Sequence, residues 1–215
     1  MTNRSFDRTV GSKPMSDLLK KRKELSDSLM REAVESAAVT VLRQRGLAGL
    51  TMDAVAEAAG LAKGTLYNYF RNKEELLVAT HERLFGPLRE QVEALMARQD
   101  LPATEILRSM VRAVLDFVEQ DRPLLFVLYE SPELASVREQ QEAEFVEELA
   151  AVLRRGVEAG ELRPMDPASA AWLVFGVLSF ACKSPVERPA LCPPVERMAE
   201  LVVEFILHGV ARGSE

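Results

Sequence analysis

Thr51–Lys73 reads TMDAVAEAAGLAKGTLYNYFRNK, two short apolar-periodic segments with Gly60 between them. Thr51 is a helix-starting cap for a segment running through Ala59. Gly60 supplies the positive φ that ends it, and a second segment covers Lys63 to Phe70. Two short helices joined by a glycine-containing turn fit a helix-turn-helix. Ala56 and Ala59 are small enough for close crossing, and Leu61 is placed to fold back on the first helix. At about 100° per residue, Leu66, Tyr69 and Phe70 share one side of the second helix, which must be buried. Gly64, Thr65, Tyr67 and Asn68 then face outward. That face has no carboxylate, its glycine lets a partner come close, and its polar side chains can reach phosphates or base edges. Recognition helices enter the major groove in this way. The same pattern also fits a helical hairpin with a polar outer face, a protein–protein module without operator-specific binding.

Outward from this stretch the chain stays helical. Ser16 to Arg45 contains neither Pro nor Gly, and Met30, Ala33, Val34, Ala37, Ala38, Val41 and Leu42 form one apolar stripe ending at Gly46. Asn72 with Glu75 has capping-box spacing and opens a long helix through His81 toward Gly86-Pro87, where a kink is expected. Further helices are expected at Thr104–Glu119, Pro123–Tyr129, Ser136–Glu158, Pro167–Cys182 and Pro194–Val210, with a proline-punctuated loop at Lys183–Pro193. No stretch alternates with period two. The expected fold is all-α, about nine helices: a three-helix N-terminal helix-turn-helix domain followed by a larger helical domain. The expected boundaries are an N-terminal basic arm or frayed extension over residues 1–24, a helix-turn-helix DNA-binding domain over 25–73, and an effector-binding and dimerisation domain over 74–215.

Composition narrows the class. The chain has 215 residues, 47% hydrophobic and 28% charged, which excludes disorder, collagen and a disulfide scaffold. The net charge of −6 is unevenly divided. Residues 1–75 carry 13 basic and 10 acidic side chains, and the remainder 14 and 23. A basic front on an acidic body suits a chain whose first segment alone meets a polyanion. The apolar run Ala168 to Cys182 falls short of the roughly 18 residues of a membrane span, and no signal peptide is evident. A cytoplasmic protein without a membrane partner is expected.

The stretch GLTMDAVAEAAGLAKGTLYNYFRNKEELL resembles the DNA-binding signature of the tetracycline-repressor (TetR) family of bacterial transcriptional regulators. The likeness covers Ala33 to Leu77. RRGVEAGELRPMDPASAAWLVFGVL is similar to the family's penultimate segment, and MAELVVEFILHGV to its closing helix. The resemblance implies a homodimeric, ligand-responsive regulator, most often a repressor. It also places Lys63, Gly64, Thr65, Tyr67 and Asn68 on DNA, with Thr51 and Lys73 meeting phosphates at helix starts. Ala62 departs from the pattern, because the family usually has Ser or Thr there. The Lys20–Lys23 cluster either follows the DNA backbone or is a solvated helix start.

Other signals are weaker. Phe85, Met110, Phe117, Phe126, Tyr129, Trp172 and Phe175 lie on apolar faces and are the expected lining of an effector pocket, though helical spacing makes each a core candidate too. A small hydrophobic effector is expected. The last helix is apolar around much of its circumference, so it and the Trp172 helix should pair with their two-fold mates, giving a dimer that reads a near-palindromic double-stranded operator. His81 and His208 have no ligand or catalytic partners in sequence and read as core or surface residues. Cys182 and Cys192 read as inert thiols. No metal, cofactor or catalytic residue is expected.

Overall fold

The computed structural model describes residues 13–187, 190 and 192–210. Among them are nine α-helices, one 3-10 turn and no strand. The helices are α1 (Lys13–Gly49), α2 (Met52–Ala59), α3 (Lys63–Tyr67), α4 (Lys73–Met96), α5 (Ala103–Gln120), α6 (Arg122–Tyr129), α7 (Ala135–Glu158), α8 (Pro167–Glu187) and α9 (Val195–Val210), with the 3-10 turn at Pro132–Leu134 between α6 and α7.

Apolar stripes sort these helices around two clusters. Val34, Ala38, Val41, Leu42, Leu50, Val55, Leu66, Phe70, Leu76 and Leu77 fill the first. Leu124 and Leu128 of α6 and Leu134 of the 3-10 turn enter the same cluster, so the helix-turn-helix packs directly on the larger part of the molecule. Ile106, Leu107, Met110 and Val111 of α5, Leu149 and Leu153 of α7, Ala171, Val174 and Leu178 of α8, and Val202, Val203 and Ile206 of α9 build the second. Burying each large aliphatic side chain contributes about 1.5–3 kcal/mol. α4 crosses both, giving Leu76 and Leu77 to one and Val92 and Met96 to the other.

Local signals set several ends. Gly46 takes φ 64° and breaks the regular run of α1 where a cap was expected. At the end of α5's preceding loop, Pro102 offers no capping side chain, and Glu161 Oε2 instead accepts the Ala103 amide at 2.6 Å.

Three helices run beyond the bounds expected of them. α4 runs without a break through Gly86-Pro87 to Met96. Pro87 removes one amide donor, and a two-pronged ion pair from Arg89 to Glu82, two turns apart, straps the helix across that gap. α8 continues past Cys182 to Glu187, taking up half of the expected proline loop. It is thereby long and apolar enough, over Pro167–Pro185, to cross a membrane by length and composition alone. Lastly, Lys13–Glu24 is helical and continuous with α1, as the helix-start alternative for the Lys20–Lys23 cluster has it. Met1–Gly11 and the neighbouring Ser12 lie outside the described residues.

Candidate nucleic-acid interface and effector cavity

The helix-turn-helix is built as its sequence dictates. The Thr51 hydroxyl accepts the Ala54 amide at 3.1 Å and starts α2. Gly60, at φ 66°, ends it: its amide reaches the Glu57 carbonyl, and the Leu61 amide reaches back to Ala56. This is a Schellman turn, and Leu61 packs onto the cluster beside it. α3 has Ala62 at its cap with no side-chain hydrogen bond, as the departure from the family pattern implies. Leu66 and Phe70 are fully buried and Tyr69 is half-buried. Arg31 anchors the end of α3, donating to the Tyr69 carbonyl at 2.7 Å and lying over the Phe70 ring.

Gly64, Tyr67 and Asn68 are exposed, and Thr65 is half-buried beside them. A Cβ placed on Gly64 would meet nothing within 4 Å, so the backbone there is open to a partner. Lys63 Nζ is held 2.5 Å from Asp53 Oδ1. That hydrogen bond raises the Lys63 pKa and keeps the ammonium charged beside the helix start, in an exposed pair that a phosphate can replace. Thr51 is exposed, and its hydroxyl proton remains free while its oxygen serves as cap.

Lys73 is placed differently from its neighbours. It begins α4, where Asn72 accepts the Glu75 amide at 2.8 Å. Its ammonium turns inward, donating to the Leu47 carbonyl at 3.2 Å and lying 3.6 Å from Glu133 Oε1 in the 3-10 turn. The Glu133 carboxyl is held below the usual range by the Ser131 hydroxyl first and Lys73 among the other causes. The α4 start is thus tied to the larger helical part, as is α1, whose Arg43 meets Asp121 at 2.6 Å.

A cavity of about 250 Å³ lies among α4, α5, α6, α7 and α8. Phe85, Phe117, Phe126, Tyr129 and Phe175 line it. Met110 and Trp172 do not. Met110 is sealed in the second cluster, and Trp172 is 55% exposed on the outer face of α8. One wheel of α8 explains Trp172: Ala171, Val174 and Leu178 already occupy its inward side.

Sequence reading missed the polar part of this wall, because its members come from different helices. His81, Arg89, Arg138, Glu142 and Lys183 all line the cavity. The Tyr129 hydroxyl lies 2.6 Å from Glu142 Oε1, and its pKa is raised by burial and then by that carboxylate. Arg138 and Lys183 flank the Tyr129 ring at 5.1 and 4.5 Å. His81 is buried and stacked on Phe85 at 4.4 Å, and Phe85 packs on Phe117. Its Nδ1 has no hydrogen-bond partner among the described residues. Leaving a buried polar atom unpaired costs about 1–3 kcal/mol. His208, in contrast, is exposed on α9. Cys182 reaches the cavity wall, with burial pushing its thiol up to about 12, so no thiolate forms at neutral pH.

A recognition helix with an open, carboxylate-free face, set by α4 against a lined cavity, defines a helix-turn-helix transcriptional regulator with a ligand-binding domain. Comparison with known proteins agrees. The family model described as "Bacterial regulatory proteins, tetR family" matches residues 36–80, and that described as "Tetracyclin repressor-like, C-terminal domain" matches residues 100–183, together more than half of the chain. The chain belongs to the TetR family of bacterial transcriptional regulators. It is 26% identical over 150 residues to the HTH-type transcriptional regulator YhgD of Bacillus subtilis (strain 168), covering 67% of this chain and 78% of YhgD. The fold is similar to that of SmeT, the repressor of a Stenotrophomonas maltophilia multidrug efflux pump, in complex with triclosan. That likeness has TM-score 0.77 and 21% identity, covering 86% of this chain and 93% of SmeT. It is also similar to FadR of Bacillus subtilis in complex with stearoyl-CoA, with TM-score 0.71 and 23% identity over 83% of this chain and 98% of FadR.

Proposed function

We propose that the protein is a homodimeric repressor that holds a near-palindromic double-stranded operator and releases it when a small apolar molecule fills the cavity. The observation that carries this reading is the shared helix: α4 starts beside the DNA-reading surface and lines the cavity from His81 to Met96. Residues 25–73 act as the DNA-binding domain and residues 74–215 as the effector and dimerisation domain, with residues 1–24 as an extension. Thr51, Lys63, Gly64, Thr65, Tyr67 and Asn68 contact DNA directly. Lys73 contributes the first amides of α4, and its ammonium reaches phosphate only after leaving Glu133.

Dimerisation is supported by the outer faces of α8 and α9. Trp172, Leu173, Phe180 and Phe205 are 55–72% exposed, a patch that a second copy of the same two helices would cover. A patch with such a partner also accounts for the apolar length of α8 without a membrane, and a cytoplasmic location follows for a DNA-bound dimer. The apolar cavity walls support an effector with an apolar body, as do triclosan and the acyl chain of stearoyl-CoA in the SmeT and FadR complexes.

A gel shift of the purified protein against its own upstream DNA tests the reading. The expected result is a specific complex whose affinity falls linearly on a log–log salt plot. Equal binding to upstream and scrambled DNA would instead favour a helical protein–protein module.

A further inference from the structure

His81 differs from every other polar group at its end of the cavity. The Tyr129 hydroxyl is taken by Glu142, Arg138 donates to the Tyr129 carbonyl, Lys183 lies against Glu130, and Arg89 is held by Glu82. His81 is 5% exposed, lines the cavity, and makes no hydrogen bond among the described residues. Unpaired buried groups of this kind are rare and call for an explanation. Its ring lies flat against Phe85, with an interplanar angle of 18°, so packing fixes its plane.

Burial holds the imidazole pKa below the ordinary histidine value, and Arg89 and Arg138 push the same way against Glu82. The ring is therefore neutral at pH 7, with one N–H and one lone pair. Nδ1 is sealed without a partner among the described residues, so a hydrogen bond from the ring to a ligand uses Nε2, which requires the Nε2–H tautomer.

We propose that His81 is the polar anchor of the effector site, and that the effector is an apolar carboxylic acid whose carboxylate accepts a hydrogen bond from the His81 imidazole. This rests on the reading of the cavity as the effector site. Its apolar body lies along Phe85, Phe117 and Phe126. Arg89 is neutralised by Glu82 and Glu93, but Arg138, whose hydrogen bond among the described residues goes to the neutral Tyr129 carbonyl with Glu142 3.9 Å away, keeps N–H groups that favour an anionic head beside His81 over an ammonium. The opposite rim, where Glu93, Glu144 and Glu148 gather, repels that head and so fixes the ligand's direction. From His81 to Met96 the wall spans roughly 22 Å of α4, room for an extended twelve-carbon chain.

The test is calorimetric titration of the full-length protein with dodecanoic acid, and with dodecanol and dodecyltrimethylammonium as same-length controls. Wild type is expected to bind the acid at least tenfold more tightly than either control. His81→Phe is expected to lose at least tenfold toward the acid alone, and His81→Gln, which keeps an amide donor, to recover part of it. In ¹⁵N-histidine spectra the His81 ring signals should move on adding dodecanoate, with exposed His208 as the unmoved reference. Unchanged affinity in a folded His81→Phe variant, unmoved His81 signals, tighter binding of the ammonium, or no binding of the acid overturns the proposal. Operator binding by the same wild-type sample stays intact in each of those cases if the regulator reading is correct, and is absent if that reading fails.

Discussion

The DNA-reading surface and the cavity are built from the same kinds of helix, yet by opposite logic. The DNA-facing residues of the first all lie within Thr51–Lys73, and most of their placement follows from caps, one glycine and one helical wheel, with Arg31 of α1 anchoring the end of α3. The cavity takes its wall from five helices and residues as distant as His81 and Lys183. One is mostly local, the other assembled. The difference teaches where stability and function separate. Removing a buried residue from the reading unit should collapse it, whereas cavity residues can change ligand response with little effect on folding.

The largest expected effect lies in the reading unit. Phe70 is fully buried between α1 and α3, and Phe70→Ala should destabilise the protein by about 3–5 kcal/mol. Chemical denaturation measures this, and a change below 1 kcal/mol would show that α3 is not packed as described. Next, Tyr67→Ala should weaken operator binding by about 1–3 kcal/mol, or 5–150-fold, with unchanged melting temperature. Anisotropy titration with labelled operator checks it, since Tyr67 supports nothing in the core. Smaller again is the strap at the junction. Glu133→Gln frees the Lys73 ammonium, and operator affinity should rise by up to about fivefold, the scale of a partly exposed ion pair.

The smallest effect concerns pH. Burial lowers the His81 pKa in the folded state, so the unfolded chain binds more protons just below its own pKa of about 6.5. This contribution to stability is complete above that value and is lost as pH falls from it through the lower folded-state pKa. Thermal melts from pH 7.5 to 5.5 should show a decline that His81→Phe flattens, and the variant should be no less stable than wild type at pH 7.5.

Sequence and structure agree most closely where the determinants are near neighbours. Thr51, Gly60, Leu66 and Asn72 act within four residues of themselves, so their roles were readable. The aromatic wall was half readable: Phe85, Phe117, Phe126, Tyr129 and Phe175 do converge, but a wheel cannot tell an inward face beside a cavity from one in solid core, which misplaced Met110. Nor can it tell an inward face from one awaiting a second chain, which misplaced Trp172. Lys73 and His81 depend on contacts across the chain, to Glu133 and to the cavity, and no local pattern announces them. The length of α4 belongs with these, since it continues past Pro87 to Met96 and the Arg89–Glu82 pair bridges two turns across that point.

The proposed function makes α4, which passes from the start of the DNA-binding unit to the cavity in one piece, the element through which the two sites are coupled. The direct measurement is the affinity of dodecanoic acid for wild-type protein with and without saturating operator, beside operator affinity with and without saturating dodecanoic acid. Both ratios should be equal, in the range of about 5–150-fold, each ligand weakening the other. Ratios of one would contradict the coupling and leave a DNA-binding dimer whose cavity has no say in what it holds.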